Sequence, residues 1–385
     1  MLSSIGHDRP GELRFRGGNL RYKSMQSFFA FQENNRAQRR GNSRGGGVAA
    51  VLCLLGIVCF AAFGNGQNGP LQLSKTIDLS GVTGKFDHFA IDNAGERLFA
   101  AATGNHSVEV IDLKTDKVLQ SIGGLGKPHG LAYVSETGRL YVADGALGEL
   151  RVYAGTPFAL QGKITLSDDA DDMAYDAGSH LLFVAHGGSD AANPARVAVV
   201  DTTNFSLVKN LSVATHPEGL DIDPQGKRVF ANIADSNEVA VIETAALSVA
   251  TTWKLSKAAE DVPAAFDGVH KLLYVACRKP ATLLLLDGET GKEIASLPTV
   301  EGADDMFFDA DLNRVYVTGG GGEVDAYQAD GAKGIRAIGA MRTAPGAKTA
   351  LFVPQRHELF VGIPGLNGHD AGVRVYTTSA GMEKR

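Results

Sequence analysis

One recurrence constrains this chain more than any other feature. A short β-rich run after a turn appears seven times: Arg97-Leu98-Phe99-Ala100, Arg139-Leu140-Tyr141-Val142, Leu181-Leu182-Phe183-Val184, Arg228-Val229-Phe230-Ala231, Leu272-Leu273-Tyr274-Val275, Arg314-Val315-Tyr316-Val317 and Glu358-Leu359-Phe360-Val361. Successive runs are offset by 42, 42, 47, 44, 42 and 44 residues. A period of about 40–45 residues with four strands per unit is that of a β-propeller blade. One such unit cannot bury its apolar faces alone, so neighbouring units must stack.

The remaining strands fall around this run. An inner strand precedes each, as in His88–Asp92, Asp172–Asp176, Gly219–Asp223 and Asp305–Asp309. Five of the seven inner strands end in Asp, with Gly or Asn soon after, as in Asp223-Pro224-Gln225-Gly226. Asp side chains bond their own backbone in such turns, and Gly supplies the left-handed residue. A third strand follows (Val108–Asp112, Val197–Asp201, Val239–Ile242), then a more polar outer one (Val118–Ile122). The last unit ends at Val373-Arg374-Val375-Tyr376 with no fourth strand, while an orphan strand, Leu73–Leu79, precedes the first unit. The expected fold is therefore all-β: a seven-bladed propeller of four-stranded blades, its last blade closed by the N-terminal strand. Seven separate sandwiches, or a solenoid, would leave the orphan strand without a place.

The phrasing of the unit, Arg139–Asp144 (RLYVAD) and Ser107–Lys117 (SVEVIDLKTDK), resembles the YVTN-repeat (YncE-like) propeller family over essentially all of 71–378. The resemblance implies a periplasmic or secreted propeller with a binding, scaffold or surface role. The family adjoins enzyme propellers, including nitrite-reductase haem domains, lactonases and streptogramin lyases. The motifs are structural, so they speak for fold more than for function. With one tryptophan, Trp253, and no Trp-Asp pair, the chain does not resemble WD-repeat propellers. Cys-x-x-Cys-His is absent, which argues against covalent c-type haem.

Three segments follow. Residues 1–47 are a polar, basic leader, and 48–64 are the apolar core of a signal sequence. Residues 65–385 are the propeller. Arg36, Arg39, Arg40 and Arg44 precede the 16-residue apolar run Val48–Phe63, which is short for a membrane span of about 20 residues. Ala62-Phe63-Gly64 places small residues where cleavage after Gly64 requires them. Export to the periplasm or the exterior is expected, with membrane contact only if the leader stays attached. Met25 is an alternative start. The first 64 residues hold nine Lys/Arg and three Asp/Glu out of 37 and 43, so the body carries 28 against 40, a balance of −12. That balance disfavours nonspecific nucleic-acid binding, which rests on neutralising phosphates. The body contains only Cys277, so no internal disulfide is expected there. A monomer is expected.

In a propeller the loops leading into inner strands and those leaving second strands share one face. The lead-ins are Asp87-His88, Pro128-His129, Asp171-Asp172, Pro217-Glu218, Val262-Pro263, Asp304-Asp305 and Lys348-Thr349. The exits are Thr103, Asp144, His186, Asp235, Arg278, Gly319 and Ile363. The candidate ligand or metal rim is thus His88, His129, Asp172, His186, Glu218, Arg278 and Asp305. Imidazole with carboxylate suits a zinc-like divalent ion, and the carboxylates alone suit calcium or magnesium. No other cofactor is evident. His88 or His129 would serve as a general base, and Arg278 would hold a carboxylate or oxyanion. The leading expectation is a noncatalytic binding or scaffold protein taking a protein or small-molecule partner on this face. The alternative is a metal-dependent lyase or lactonase. The acidic run Ser167–Asp172 reads as a solvated loop or a calcium site, Cys277 as a plain strand residue or a reactive thiol, and His369 as a residue that reaches the rim.

Overall fold

The computed structural model describes residues 69–366, 368 and 370–378. The leader, the apolar segment and His369 lie outside the described residues. A first strand, β1 (Leu71–Leu79), precedes blade 1, which is β2 (Phe89–Asp92), β3 (Arg97–Ala102), β4 (Ser107–Asp112) and β5 (Lys117–Ile122). Blade 2 is β6 (Pro128–Val134), β7 (Arg139–Asp144), β8 (Glu149–Ala154) and β9 (Ala159–Thr165). Blade 3 is β10 (Met173–Asp176), β11 (Leu181–His186), β12 (Arg196–Asp201) and β13 (Ser206–Ser212). Blade 4 is β14 (Gly219–Ile222), β15 (Arg228–Ile233), β16 (Glu238–Glu243) and β17 (Ser248–Lys254). Blade 5 is β18 (Ala259–Asp267), β19 (Leu272–Lys279), β20 (Ala281–Asp287) and β21 (Glu293–Pro298). Blade 6 is β22 (Ala303–Asp309), β23 (Arg314–Gly319), β24 (Glu323–Ala329) and β25 (Ile335–Arg342). Blade 7 is β26 (Ala350–Val353), β27 (Glu358–Ile363) and β28 (Ala371–Thr378), completed by β1.

Each blade is one antiparallel sheet of four strands, and together the seven sheets form a propeller. β1 pairs antiparallel with β28 from Leu71↔Thr378 to Leu79↔Ala371, which closes the ring as expected. The second strand of each blade is buried on both faces because its side chains alternate between two neighbours. Leu98 packs into the cluster shared with blade 7, while Phe99 packs into the one shared with blade 2. Val315 and Tyr316 divide in the same way between blades 5 and 7. Each interface between blades therefore has its own apolar cluster, and fully burying one such side chain contributes about 1.5–3 kcal/mol. The outer strands show the opposite pattern, with Val118, Leu119 and Leu160 exposed.

The five Asp residues that end inner strands each accept a turn N–H: Asp92 from Gly95, Asp176 from Gly178, Asp223 from Gln225, Asp267 from Val269, and Asp309 from Asp311. Glycine, however, holds the left-handed position in few of these turns. Gly226 does so, but Glu96, His180, Lys271 and Asn313 adopt positive φ in the other four. Side-chain caps and pairing on both sides offset the modest cost of a left-handed non-glycine residue.

Three further carboxylates tie blades together. Asp172 accepts the Leu220 N–H at 2.7 Å, Asp221 that of Phe266 at 2.6 Å, and Asp305 that of Ala350 at 2.6 Å. Each bond runs from one inner strand to the next blade's inner strand. Together they set the spacing of the strands that line the channel.

Candidate functional site

At one end of the channel the lead-ins converge. Backbone hydrogen bonds fix which residues are equivalent: Asp87 N–H bonds Ala101, Asp171 N–H bonds Ala185, and Glu218 N–H bonds Asn232. Asp87, His129 and Asp171 each stand ten residues before Arg97, Arg139 and Leu181, so His129 corresponds to Asp87 and not to His88, and β6 accommodates this with a bulge between Pro128 and Leu131. The outer tier is accordingly Asp87, His129, Asp171, Glu218, Val262, Asp304 and Lys348. One residue deeper lie His88, Gly130, Asp172, Gly219, Pro263, Asp305 and Thr349. Pairing Pro128-His129 with Asp87-His88 by sequence placed His129 one tier too deep.

The outer tier brings Asp87, His129 and Asp171 together. One ligand atom from each lies within 4.8 Å of the others, a spacing from which the three could coordinate a divalent cation. His129 Nδ1 is 2.9 Å from Asp171 Oδ1 and 3.9 Å from Asp87 Oδ2. The shorter contact is an ion-pair distance without hydrogen-bond alignment, and neither ring nitrogen has a hydrogen-bond partner although the residue is only 4% exposed. Gly130 permits this approach, since a Cβ there would lie 2.2 Å from the Asp171 carbonyl oxygen. Burial pushes the Asp87 carboxyl up, against the pull of His88 and His129. Burial also opposes the Asp171 charge, but His129 and His216 outweigh it and hold that carboxyl well below the usual range.

His216 joins from blade 4. Its Nδ1 meets the Gly187 carbonyl at 2.6 Å, and its Nε2 lies 3.7 Å from Asp171 Oδ2 with no hydrogen-bond partner. Burial works against its proton, yet Asp171 and the Gly187 carbonyl push its pKa up to about 9.

The second tier is organised around His88. Its Nδ1 lies 3.3 Å from Asp305 and 3.7 Å from Asp172, and its Nε2 lies 3.6 Å from Asp87. Blade 1 thus reaches carboxylates of blades 3 and 6, so the imidazole stands across the channel, where Gly130 and Gly219 have no side chains. Burial disfavours the charged ring, but Asp172, Asp305 and Asp87 outweigh it and raise the His88 pKa well above 6.5. That direction favours the protonated ring over a free general base. Asp172 and Asp305 are committed on both sides, to His88 and to the next blade's backbone.

The opposite wall is basic. Asp304 receives both Lys348 Nζ, at 2.6 Å, and the Arg278 guanidinium, whose Nε also donates to the Ala303 carbonyl at 2.9 Å. Arg278 and Lys348 thus meet on one carboxylate, with Glu218 also acting on Arg278 and Asp87 on Lys348. Between these walls lies a cavity of about 540 Å³, lined by residues of all seven blades.

Six of the seven candidate rim residues line this cavity: His88, His129, Asp172, Glu218, Arg278 and Asp305. His186 does not. Its Nδ1 accepts the Ser167 N–H at 3.0 Å and its Nε2 meets Asn210 Oδ1 at 3.1 Å, so it braces a loop inside blade 3. Burial lowers its pKa, which suits a neutral ring accepting at Nδ1. Asp144 does the same work in blade 2, accepting from Gly126 and Lys127. The acidic run does not gather on one ion: Asp168 binds Ser189, Asp169 binds Lys127, and Asp171 and Asp172 belong to different tiers. Cys277 is fully buried, and burial pushes its thiol up, away from reactivity. Asp87, Asp171, Asp304 and Lys348 stood in the lead-ins without a role, while His216 lay outside the positions considered. Counting ten residues back from the start of each second-strand run is the signal that finds the first four.

No family model matches this sequence, and no curated protein matches it. Solved structures do. The chain is similar to one from Kuenenia stuttgartiensis hydrazine synthase, 17% identical with a TM-score of 0.67, over 78% of this chain and 97% of that one. It is also similar to a chain of the mitotic checkpoint complex, 11% identical with a TM-score of 0.67, over 89% of this chain and 99% of that one. At these identities the likeness shows the fold alone. The class defined here is a seven-bladed β-propeller with a charged cavity at one mouth of its channel.

Proposed function

We propose that this protein is an exported propeller of the YVTN type that binds a small charged ligand in its channel mouth without transforming it. The observation that carries this reading is the composition of the cavity wall. Carboxylates and imidazoles on one side face Arg278 and Lys348 on the other, and no serine, threonine or cysteine is among the lining residues. Such a wall holds a polar ligand by charge, and its hydroxyls are the phenols of Tyr133 and Tyr175. Arg278 and Lys348 supply the cationic partners an anionic group would need.

The test is a thermal-shift survey of the purified full-length protein against small carboxylates and phosphates. At least one should raise the melting temperature, and Arg278→Gln should abolish the rise. A survey in which none shifts it, or in which Arg278→Gln responds equally, overturns the reading. Export is tested separately by sequencing the mature N-terminus, expected at Asn65. A second reading, a metal-dependent lyase or lactonase, draws on the Asp87–His129–Asp171 cluster. Turnover of a bound lactone or ester, lost on chelation, would establish it in place of the first.

A further inference from the structure

We propose that Asp87, His129 and Asp171 bind a divalent first-row transition ion of the zinc type, whose open positions take an oxygen of the anion held in the mouth. The inference rests on the binding reading above for its second clause only.

Four observations converge. The three residues come from consecutive blades at the same repeat position, so the fold itself directs them to one point. Ligand atoms about 2 Å from a shared ion stand roughly 3–3.5 Å apart. The contacts of 2.9 and 3.9 Å lie on either side of that spacing, and the widest pair, within 4.8 Å, would close by about 1–2 Å on the ion. His129 is buried, and its Nδ1 faces both carboxylates, at 2.9 and 3.9 Å, without an aligned hydrogen bond. An ion between them would give that nitrogen the partner its geometry lacks. Finally, His216 is fixed at Nδ1 by the Gly187 carbonyl and presents Nε2 to the outer oxygen of Asp171. A ligating carboxylate is commonly held by such an outer partner, so His216 is a positioning residue.

The donor set chooses the ion. One imidazole and two carboxylates suit zinc, manganese or cobalt, whereas calcium requires six to eight oxygens, which this cluster does not supply. Three protein ligands leave a position open toward the cavity. Across that cavity Arg278 and Lys348 share Asp304, so an anion bound to the ion would have its other end met by positive charge.

The experiment uses the purified full-length protein, stripped with chelator and titrated calorimetrically with zinc, manganese, calcium and magnesium chlorides. Zinc should bind with a stoichiometry of one, at least about a hundredfold more tightly than calcium. His129→Gln and Asp171→Asn, with circular dichroism unchanged, should lose that affinity, while His357→Asn should keep it. Cobalt(II) added to the unaltered protein gives a second readout that needs no variant. Visible bands stronger than those of the aqueous ion are expected. An aqueous spectrum, absent zinc binding, or equal affinity in the two folded variants overturns the site. Zinc bound with no carboxylate or phosphate binding keeps the site and removes the binding reading. An anion bound equally by stripped and zinc-loaded protein keeps that reading and overturns the role given to the ion.

Discussion

His88, His129 and His186 show how position within one repeat decides what an imidazole does. His88 is wrapped by three carboxylates that raise its pKa. His129, in the tier above, is buried without a hydrogen bond. His186 leaves a second strand and turns back on its own blade, accepting the Ser167 N–H. Replacing His186 by Ala should strand that N–H and the Asn210 amide, at about 1–3 kcal/mol of stability. Urea denaturation would measure the loss, and ligand or ion binding in the mouth should stay the same. An unchanged stability would refute the bracing role. The sequence places the three at different repeat positions, His88 and His129 in lead-ins and His186 at an exit. That an exit residue turns back on its own blade was not legible, because it depends on the direction of the side chain.

The strands themselves were far more legible. A blade buries both faces of its second strand, so Leu98-Phe99 and Val315-Tyr316 are apolar at adjacent positions and the repeat is visible in the letters. The closing strand was legible because blade 7 lacked a fourth member and Leu73–Leu79 lacked a blade; the pairing runs slightly further, from Leu71. The grouping of Asp87, His129 and Asp171 was legible as well, because the three stand 42 residues apart, in step with Arg97, Arg139 and Leu181. Matching the lead-ins as dipeptides, instead of counting back from the second strand, set His129 and Glu218 one tier too deep. Deleting residues 69–82 tests the closure. The loss removes Leu71, Ile77 and Leu79 from two interfaces, about 5 kcal/mol or more, and leaves the β28 edge unpaired. Light scattering should show self-association and calorimetry a lower melting temperature. A monomer that melts as before would mean that β1 is dispensable.

At the scale of the whole molecule, buried ionisable groups give stability a pH dependence with a definite sign. Burial pushes Asp221 and Asp261 up to about 7 from the ordinary 3.8. Between about pH 4 and 7 the folded chain therefore holds protons that the unfolded chain has released. Stability should fall as pH rises through that window, by up to about 1.4 kcal/mol per pH unit for each group, and level off above it. His216, raised to about 9, acts in the same sense, its contribution being lost as pH rises toward that value. Asp171 acts oppositely: its depressed pKa stabilises above about pH 4, and that contribution disappears in acid. Asn at position 221 can still accept the Phe266 N–H, so Asp221→Asn should flatten the slope between about pH 4 and 7 and spare the acid limb. Guanidinium denaturation at a series of pH values would measure both, and an unaltered slope would show that Asp221 does not titrate in that range.

The sheet that unites β1 with β28 also sets an order of events during synthesis. β1 leaves the ribosome before every blade, and its partner leaves after all the others. Throughout that interval the nascent chain carries an unlatched arc, with the apolar cluster between blades 7 and 1 still facing water. Only a polypeptide translated through β28 can latch. A premature stop or a clipped end yields an arc that proteases and chaperones can recognise, so the ring's own architecture checks that each molecule is whole.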